Sequence, residues 1–236
     1  MSEPKDKIIV ALDVDTEDEA KALVEMLGMY VGYFKVGLQF ITSVGAPRAI
    51  ELVKQCGGKV FFDGKFDDIP NTVGNATRVL AGFGVGMFNV HASCGIEAMR
   101  KAVENKGDAL ALAVTVLTST EENNAHLIFG KPSKVAVLQF TRDAKSAGMD
   151  GVICSPQELE LLGQQPDLAG ILKVTPGVRP VWALTGDQKR VMTPGEAMLA
   201  GAWALVIGRP IRQPPPEIGT PVDAVKRIVD EIAAYV

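Results

Sequence analysis

Cysteine is scarce in this chain: Cys56, Cys94 and Cys154 form an odd, widely spaced set with no CxxC pair. That argues against a disulfide framework and against a cysteine-based zinc site, and each thiol reads as a small buried hydrophobe. Histidine is scarcer still, with only His91 and His126. Nothing approaches the ~18 apolar residues of a membrane span. The apolar run in MSEPKDKIIVALDVD returns to charge by Asp13, too short for a secretion signal. One-sided charge is missing too: the formal net charge is −4 and no basic stretch stands out, so a nucleic-acid footprint is not expected. A few local cations can still bind a small anion, whatever the net charge. What remains is a cytoplasmic enzyme or binding protein.

What is present is an ordinary globular composition, 47% hydrophobic and 22% charged over 236 residues, enough for one large core. Short apolar runs alternate with amphipathic ones. Strands are expected at 7–13, 33–37, 59–65, 86–92, 109–117, 151–155, 171–177 and 204–209, nearly all separated by helix-sized segments. Continuous Val, Ile, Leu and Ala runs, rather than strict alternation, suggest strands covered on both faces and hence a parallel sheet. Eight such units point to a (β/α)8 TIM barrel in a single domain, 1–236, with an open doubly wound sheet as the alternative. Thr16 with Glu19 has the capping-box spacing at the first helix. Segments 180–192 and 212–221 read as long loops, and 222–236 as a closing amphipathic helix.

In such a barrel the site is built where strands end. The polar residues there are Asp13, Lys35, Asp63, Lys65, Asp68, His91, Thr118, Arg179 and Arg209. Asp63 and Lys65 are two apart in FFDGKFDDIP (61–70) and share one strand face, while Phe62, Gly64 and Phe66 take the other. Taken alone, that pair is either a structural ion pair or a functional one; Asp13 and Lys35 on the neighbouring strand ends favour function, because two signs then alternate around one rim. Asp67 and Asp68 are candidates to cap a helix starting near Asn71, with Pro70 suited to its first turn. IGRP (207–210) and TPGVRP (175–180) bring Gly208, Arg209 and Arg179 to the last loops, where barrels often hold a phosphate. His91 reads as a hydrogen-bonded core residue.

The series ALDVD, FKVG, FFDGKFDDIPNTV, NVHAS, VTVLTS, VTPGVRP, GDQKRVMTP and VIGRPI, in this order from about 7 to 211, resembles the orotidine 5′-monophosphate decarboxylases of the bacterial type. The resemblance implies conversion of orotidine 5′-monophosphate to UMP and CO2 in pyrimidine biosynthesis by a homodimeric TIM barrel, with neither metal nor organic cofactor. It implies that Lys65 protonates C6, within a charged tetrad of Lys35, Asp63, Lys65 and Asp68. Asp68 and Thr72 would be contributed across the dimer interface. Asp13, Ile69 and Thr72 take substrate-binding positions, Asp13 and Thr72 at the ribose, and Thr118 faces the pyrimidine. Arg179, Gln188, Gly208 and Arg209 would grip the phosphate, Gln188 from a mobile loop.

Two positions depart from the familiar block DLKFHDIP: Gly64 replaces leucine and Asp67 replaces histidine. Two other readings share these residues. Phosphosugar barrels such as hexulose-phosphate synthase are similar at DxKxxD but use Mg2+, with a carboxylate where Lys35 stands here. A lysine is no ligand and repels the cation. A phosphate-binding barrel without catalysis would keep Arg179 and Arg209 but has no use for four clustered charges.

Overall fold

The computed structural model describes residues 3–183 and 192–236. Eight parallel strands close on themselves in sequence order, β1 Ile8–Ala11, β2 Tyr33–Gly37, β3 Val60–Phe66, β4 Met87–His91, β5 Leu110–Val114, β6 Gly151–Ile153, β7 Leu172–Pro176 and β8 Ala204–Ile207. The ring is completed by β8 against β1, with Ile9 in register with Val206. Around it run α1 Glu17–Leu27, α2 Leu38–Val44, α3 Ala46–Gln55, α4 Pro70–Gly82, α5 Ile96–Asn105 and α6 Glu122–Phe129. The remaining helices are α7 Ser133–Ala147, α8 Leu159–Gly163, α9 Pro194–Leu199, α10 Arg209–Arg212 and α11 Pro221–Ile232. The barrel expected from the sequence is therefore the one observed; seven strands fall within their expected stretches, and β3 runs one residue past its expected end, to Phe66.

The period-2 alternation of the strands explains the two cores. One set of side chains, including Ile8, Val10, Phe34, Val36, Phe62 and Phe88, packs outward under the helices. The other, including Ile9, Ala11, Phe61, Met87, Leu112, Val174 and Val206, fills the barrel interior. Going two residues further along an inward-facing row leaves the apolar plug and enters a polar layer. Ala11 leads to Asp13, Phe61 to Asp63 and Met87 to Asn89. Tyr33 likewise leads to Lys35. The barrel thus raises charged groups at the C-terminal ends of adjacent strands and supports them from below with a packed apolar floor.

Local signals at the helix starts hold in part. Thr16 and Glu19 form the expected capping box. The cap assigned to Asp67 or Asp68 is corrected: α4 starts at Pro70, and its N-cap is the extended Ile69, with no side-chain cap bond. Pro70 has no N–H to satisfy, which removes one of the donors a carboxylate cap serves. Asp68 instead accepts the N–H of Ile69 at 2.7 Å, and Asp67 accepts a long bond from Ser93 Oγ at 3.5 Å. Among the described residues no helix is long and apolar enough to cross a membrane.

Candidate active site

Asp13, Lys35, Asp63 and Lys65 form a continuous row of alternating charge across β1, β2 and β3. Lys35 Nζ donates to Asp13 Oδ1 at 3.3 Å and forms an ion pair with Asp63 Oδ2 at 3.0 Å. Lys65 Nζ donates to Asp63 Oδ1 at 2.7 Å. Asp63 is 7% exposed, so three donors meet one buried carboxylate: two ammonium groups and the Asn89 amide, whose Nδ2 lies 2.7 Å from Oδ1. A buried charge survives only with such compensation. Burial alone pushes the Asp63 carboxyl up, but Lys35, Lys65 and the amide outweigh it and hold it below the ordinary range. For Lys35 burial pulls the other way, and Asp63 with Asp13 more than restore it, so its amine titrates above the usual value. Both groups are charged at neutral pH.

The backbone between Asp63 and Lys65 is irregular. Phe62 pairs with Phe88 and Phe66 with Val90, so four residues of β3 advance against two of β4, a bulge. Within it Lys65 has φ 50°, and it is the only non-glycine residue with positive φ among those described. Left-handed geometry costs an L-residue about 1–2 kcal/mol, and such strain persists only where neighbours impose it. Here the Lys65 N–H donates to Asn89 Oδ1 at 2.9 Å. Gly37 makes room for the row, and Gly64 for the Phe62 ring on the opposite face. A Cβ at Gly37 would stand 2.6 Å from Lys35 Nζ. One at Gly64 would stand 2.4 Å from Phe62 Cε1. The leucine-to-glycine departure at 64 thus goes with a Phe62 ring lying across that position.

The mouth has two lobes. The first, about 230 Å³, is bordered by Lys35, Asp63, Lys65, Asn89 and Thr118, with apolar walls including Val114 and Ile153. The second, about 150 Å³, is bordered by Asp13, Arg179, Gly208 and Arg209, and shares Lys35, Pro176 and Val206 with the first. Arg179 is nearly buried, at 9% exposure. Its backbone N–H bonds the Met192 carbonyl at 2.9 Å, tying together the two ends of the 180–191 segment. Gln188 lies outside the described residues.

Three expected site residues are not in this mouth. Asp68, Ile69 and Thr72 are exposed, Ile69 to 66%. Thr72 instead borders an apolar groove on the outer wall with Ile50, Phe62, Phe66, Val79 and Phe83. His91 is corrected from a hydrogen-bonded core residue: it sits half-buried at the rim, makes no side-chain hydrogen bond among the described residues, and burial lowers its pKa. Cys154 is buried at the first lobe, where burial pushes its thiol up to about 12; Cys56 and Cys94 are partly exposed and all three are free. Asn89 is the residue of this site that sequence reasoning passed over. Its signal was available, since in MFNVH it shares a face with Met87 and so points inward.

Fold and site together define a (β/α)8 barrel with a four-charge row beside an arginine-lined lobe. Comparison with known proteins narrows this further. Residues 6–228 match the model of the orotidine 5′-phosphate decarboxylase / HUMPS family. The chain is 46% identical to the orotidine 5′-phosphate decarboxylase of Heliobacterium modesticaldum, over 98% of this chain and 97% of that one. It is 45% identical to that of Geobacter sp. strain M21, over 97% and 96%. The crystal structure of orotidine 5′-phosphate decarboxylase from Lactobacillus acidophilus superimposes with a TM-score of 0.79 at 33% identity, covering 95% of this chain and 98% of that one. The chain belongs to the orotidine 5′-phosphate decarboxylase / HUMPS family.

Proposed function

We propose that this protein decarboxylates orotidine 5′-monophosphate to UMP and CO2, with Lys65 as proton donor and no metal in the step. The observation that carries the reading is the Lys65 ammonium, 2.7 Å from buried Asp63 and beside an arginine-lined lobe. The phosphate would sit with Arg179, Gly208 and Arg209, and Gln188 would join it. The pyrimidine would lie in the lobe bordered by Thr118, and the ribose would lie near Asp13 between the two.

The chemistry suits these groups. When CO2 leaves C6, the bonding pair stays on a ring carbon with poor delocalisation. A pre-aimed ammonium stabilises that charge without solvent reorganisation. Lys65 then gives a proton to C6, and water returns one to the amine. An ammonium has three donors, and Asp63 takes one, leaving others for the reacting carbon. Phosphate binding far from C6 supplies positioning energy, so substrates lacking it should react poorly.

The dimer belongs to the same reading. Asp68, Ile69 and Thr72 stand exposed beside the apolar groove of Phe66, Val79 and Phe83, with Val79 53% exposed. A second copy covering this wall would bury that surface and bring Asp68 and Thr72 to its own Lys65. The Mg2+-dependent phosphosugar alternative is disfavoured by Lys35, whose ammonium occupies the space between Asp13 and Asp63. The deciding experiment is product analysis. Orotidine 5′-monophosphate should yield UMP and CO2 in equal amounts. Turnover of a phosphosugar with Mg2+, and none of the nucleotide, would reverse the assignment.

A further inference from the structure

We infer that Asn89 is the positioning residue of this site, a buried amide that holds the Lys65 backbone with its oxygen and the Asp63 carboxylate with its nitrogen. The inference rests on the decarboxylase reading for its kinetic consequences, though its geometry stands independently. Asn89 is 1% exposed. Its orientation is forced by its partners: a backbone N–H can only donate, so Oδ1 faces Lys65, and a carboxylate can only accept, so Nδ2 faces Asp63.

Both bonds return to the same two-residue unit. Lys65 N–H meets Oδ1 at 2.9 Å, Nδ2 meets Asp63 Oδ1 at 2.7 Å, and the same Oδ1 of Asp63 takes Lys65 Nζ at 2.7 Å. The lysine is therefore fastened at its backbone and at its ammonium through one intermediate side chain. The bulge explains why a side chain is needed: between Phe62 and Phe66 the ladder with β4 slips, and the Lys65 N–H is met by a side-chain oxygen. An apolar residue at 89 would leave that N–H buried without a partner, and a carboxylate would face Asp63 with like charge. A neutral amide is the group that serves both ends. The charged groups bonded to it are Asp63 and Lys65 on β3, and Lys35 on β2 pairs with the other oxygen of the same carboxylate; its β5 neighbour is the apolar Leu112, and His91 stands two residues along β4.

The test uses Asn89→Leu and Asn89→Asp, with kcat and KM for orotidine 5′-monophosphate measured from pH 5 to 9 and divided by wild type at each pH. Asn89→Leu should lower kcat by about 100-fold at every pH, the scale of an ångström-level misplacement, with KM little changed. Asn89→Asp should be equally poor at high pH and recover as pH falls, because the protonated acid accepts with its carbonyl and donates with its hydroxyl as the amide does. Burial and Asp63 raise the titration point of the introduced carboxyl, putting this recovery within reach. Wild-type kcat in Asn89→Leu, or an Asn89→Asp ratio independent of pH, would overturn the inference. If Asn89→Leu does not fold, the Asn89→Asp ratio decides. If wild type leaves the nucleotide unchanged, the decarboxylase reading falls instead. A crystal structure of Asn89→Asp at high pH then decides the positioning role: Lys65 should have left its positive φ, and retention of that φ would overturn it.

Discussion

Lys65 Nζ lies 2.7 Å from Asp63 Oδ1 even though the strand between them has bulged and Lys65 has crossed to φ 50°. A regular strand would also put residues i and i+2 on one face. The bulge adds a slip against β4, and across that slip the ammonium stays tied to the carboxylate. Strained backbone at the residue assigned the chemistry is where stored strain tends to be found.

Removing the ammonium should stop the reaction without unfolding the barrel. In Lys65→Ala, Asp63 keeps Lys35 and Asn89 as partners. Loss of both charge stabilisation and proton donation should reduce kcat by at least ~10³-fold. Steady-state kinetics beside a thermal melt checks this, and a variant with most of its rate intact would contradict the role of Lys65.

Lys35 is the group whose loss should make stability respond to pH. In wild type the Asp63 carboxyl is held low, so its stabilising contribution is complete above the ordinary carboxylate range and is lost as pH falls through the depressed value. Lys35 titrates high, so its contribution is complete below its ordinary value and is lost only as pH rises past the raised one. In Lys35→Met the Asp63 carboxyl loses one of the two ammonium groups that hold it down, so its titration point moves upward from the wild-type position. The deficit should be about 3–5 kcal/mol at pH 8 and shrink towards pH 4, where the acid can become neutral. Urea unfolding at several pH values measures it; a deficit that does not change with pH would refute the coupling.

Gly64 should be intolerant of the leucine found in the familiar block. The new side chain would meet the Phe62 ring, which is packed in the outer core. Gly64→Leu should destabilise by about 1–3 kcal/mol through overpacking. Adding Phe62→Ala should recover part of that loss, because the collision is removed while the cavity is partly filled. A Gly64→Leu melt matching wild type would mean that the ring swings aside freely.

Shared sites can be detected by mixing. Lys65→Ala and Asp68→Ala subunits should each be nearly inactive alone. Exchanged in equal amounts they should recover about a quarter of wild-type activity, since half the dimers are mixed and each mixed dimer holds one intact site. No recovery after verified exchange would remove Asp68 from the partner's site.

The barrel was legible in the sequence because strands buried on both faces carry Val, Ile and Ala runs that turn residues punctuate. The charge row was legible because inward-facing parity places Asp13, Lys35 and Asp63 one layer above Ala11, Tyr33 and Phe61. The motif series added the assignment of Lys65. Three features were not legible. The slip between Phe62 and Phe66 depends on β4 contacts that local propensity does not encode. The left-handed Lys65 depends on Asn89, 24 residues away. The cap expected from Asp67 or Asp68 failed because Pro70 and the extended Ile69 start α4 without a side-chain donor or acceptor.

The most direct measurement is the ultraviolet absorbance of orotidine 5′-monophosphate mixed with the purified protein in excess EDTA. Catalysis by the Asp13–Lys35–Asp63–Lys65 row requires the orotate absorbance to fall to that of UMP at a rate proportional to enzyme, unchanged by the chelator. Absorbance that stays constant, or falls only when Mg2+ is restored, would contradict it.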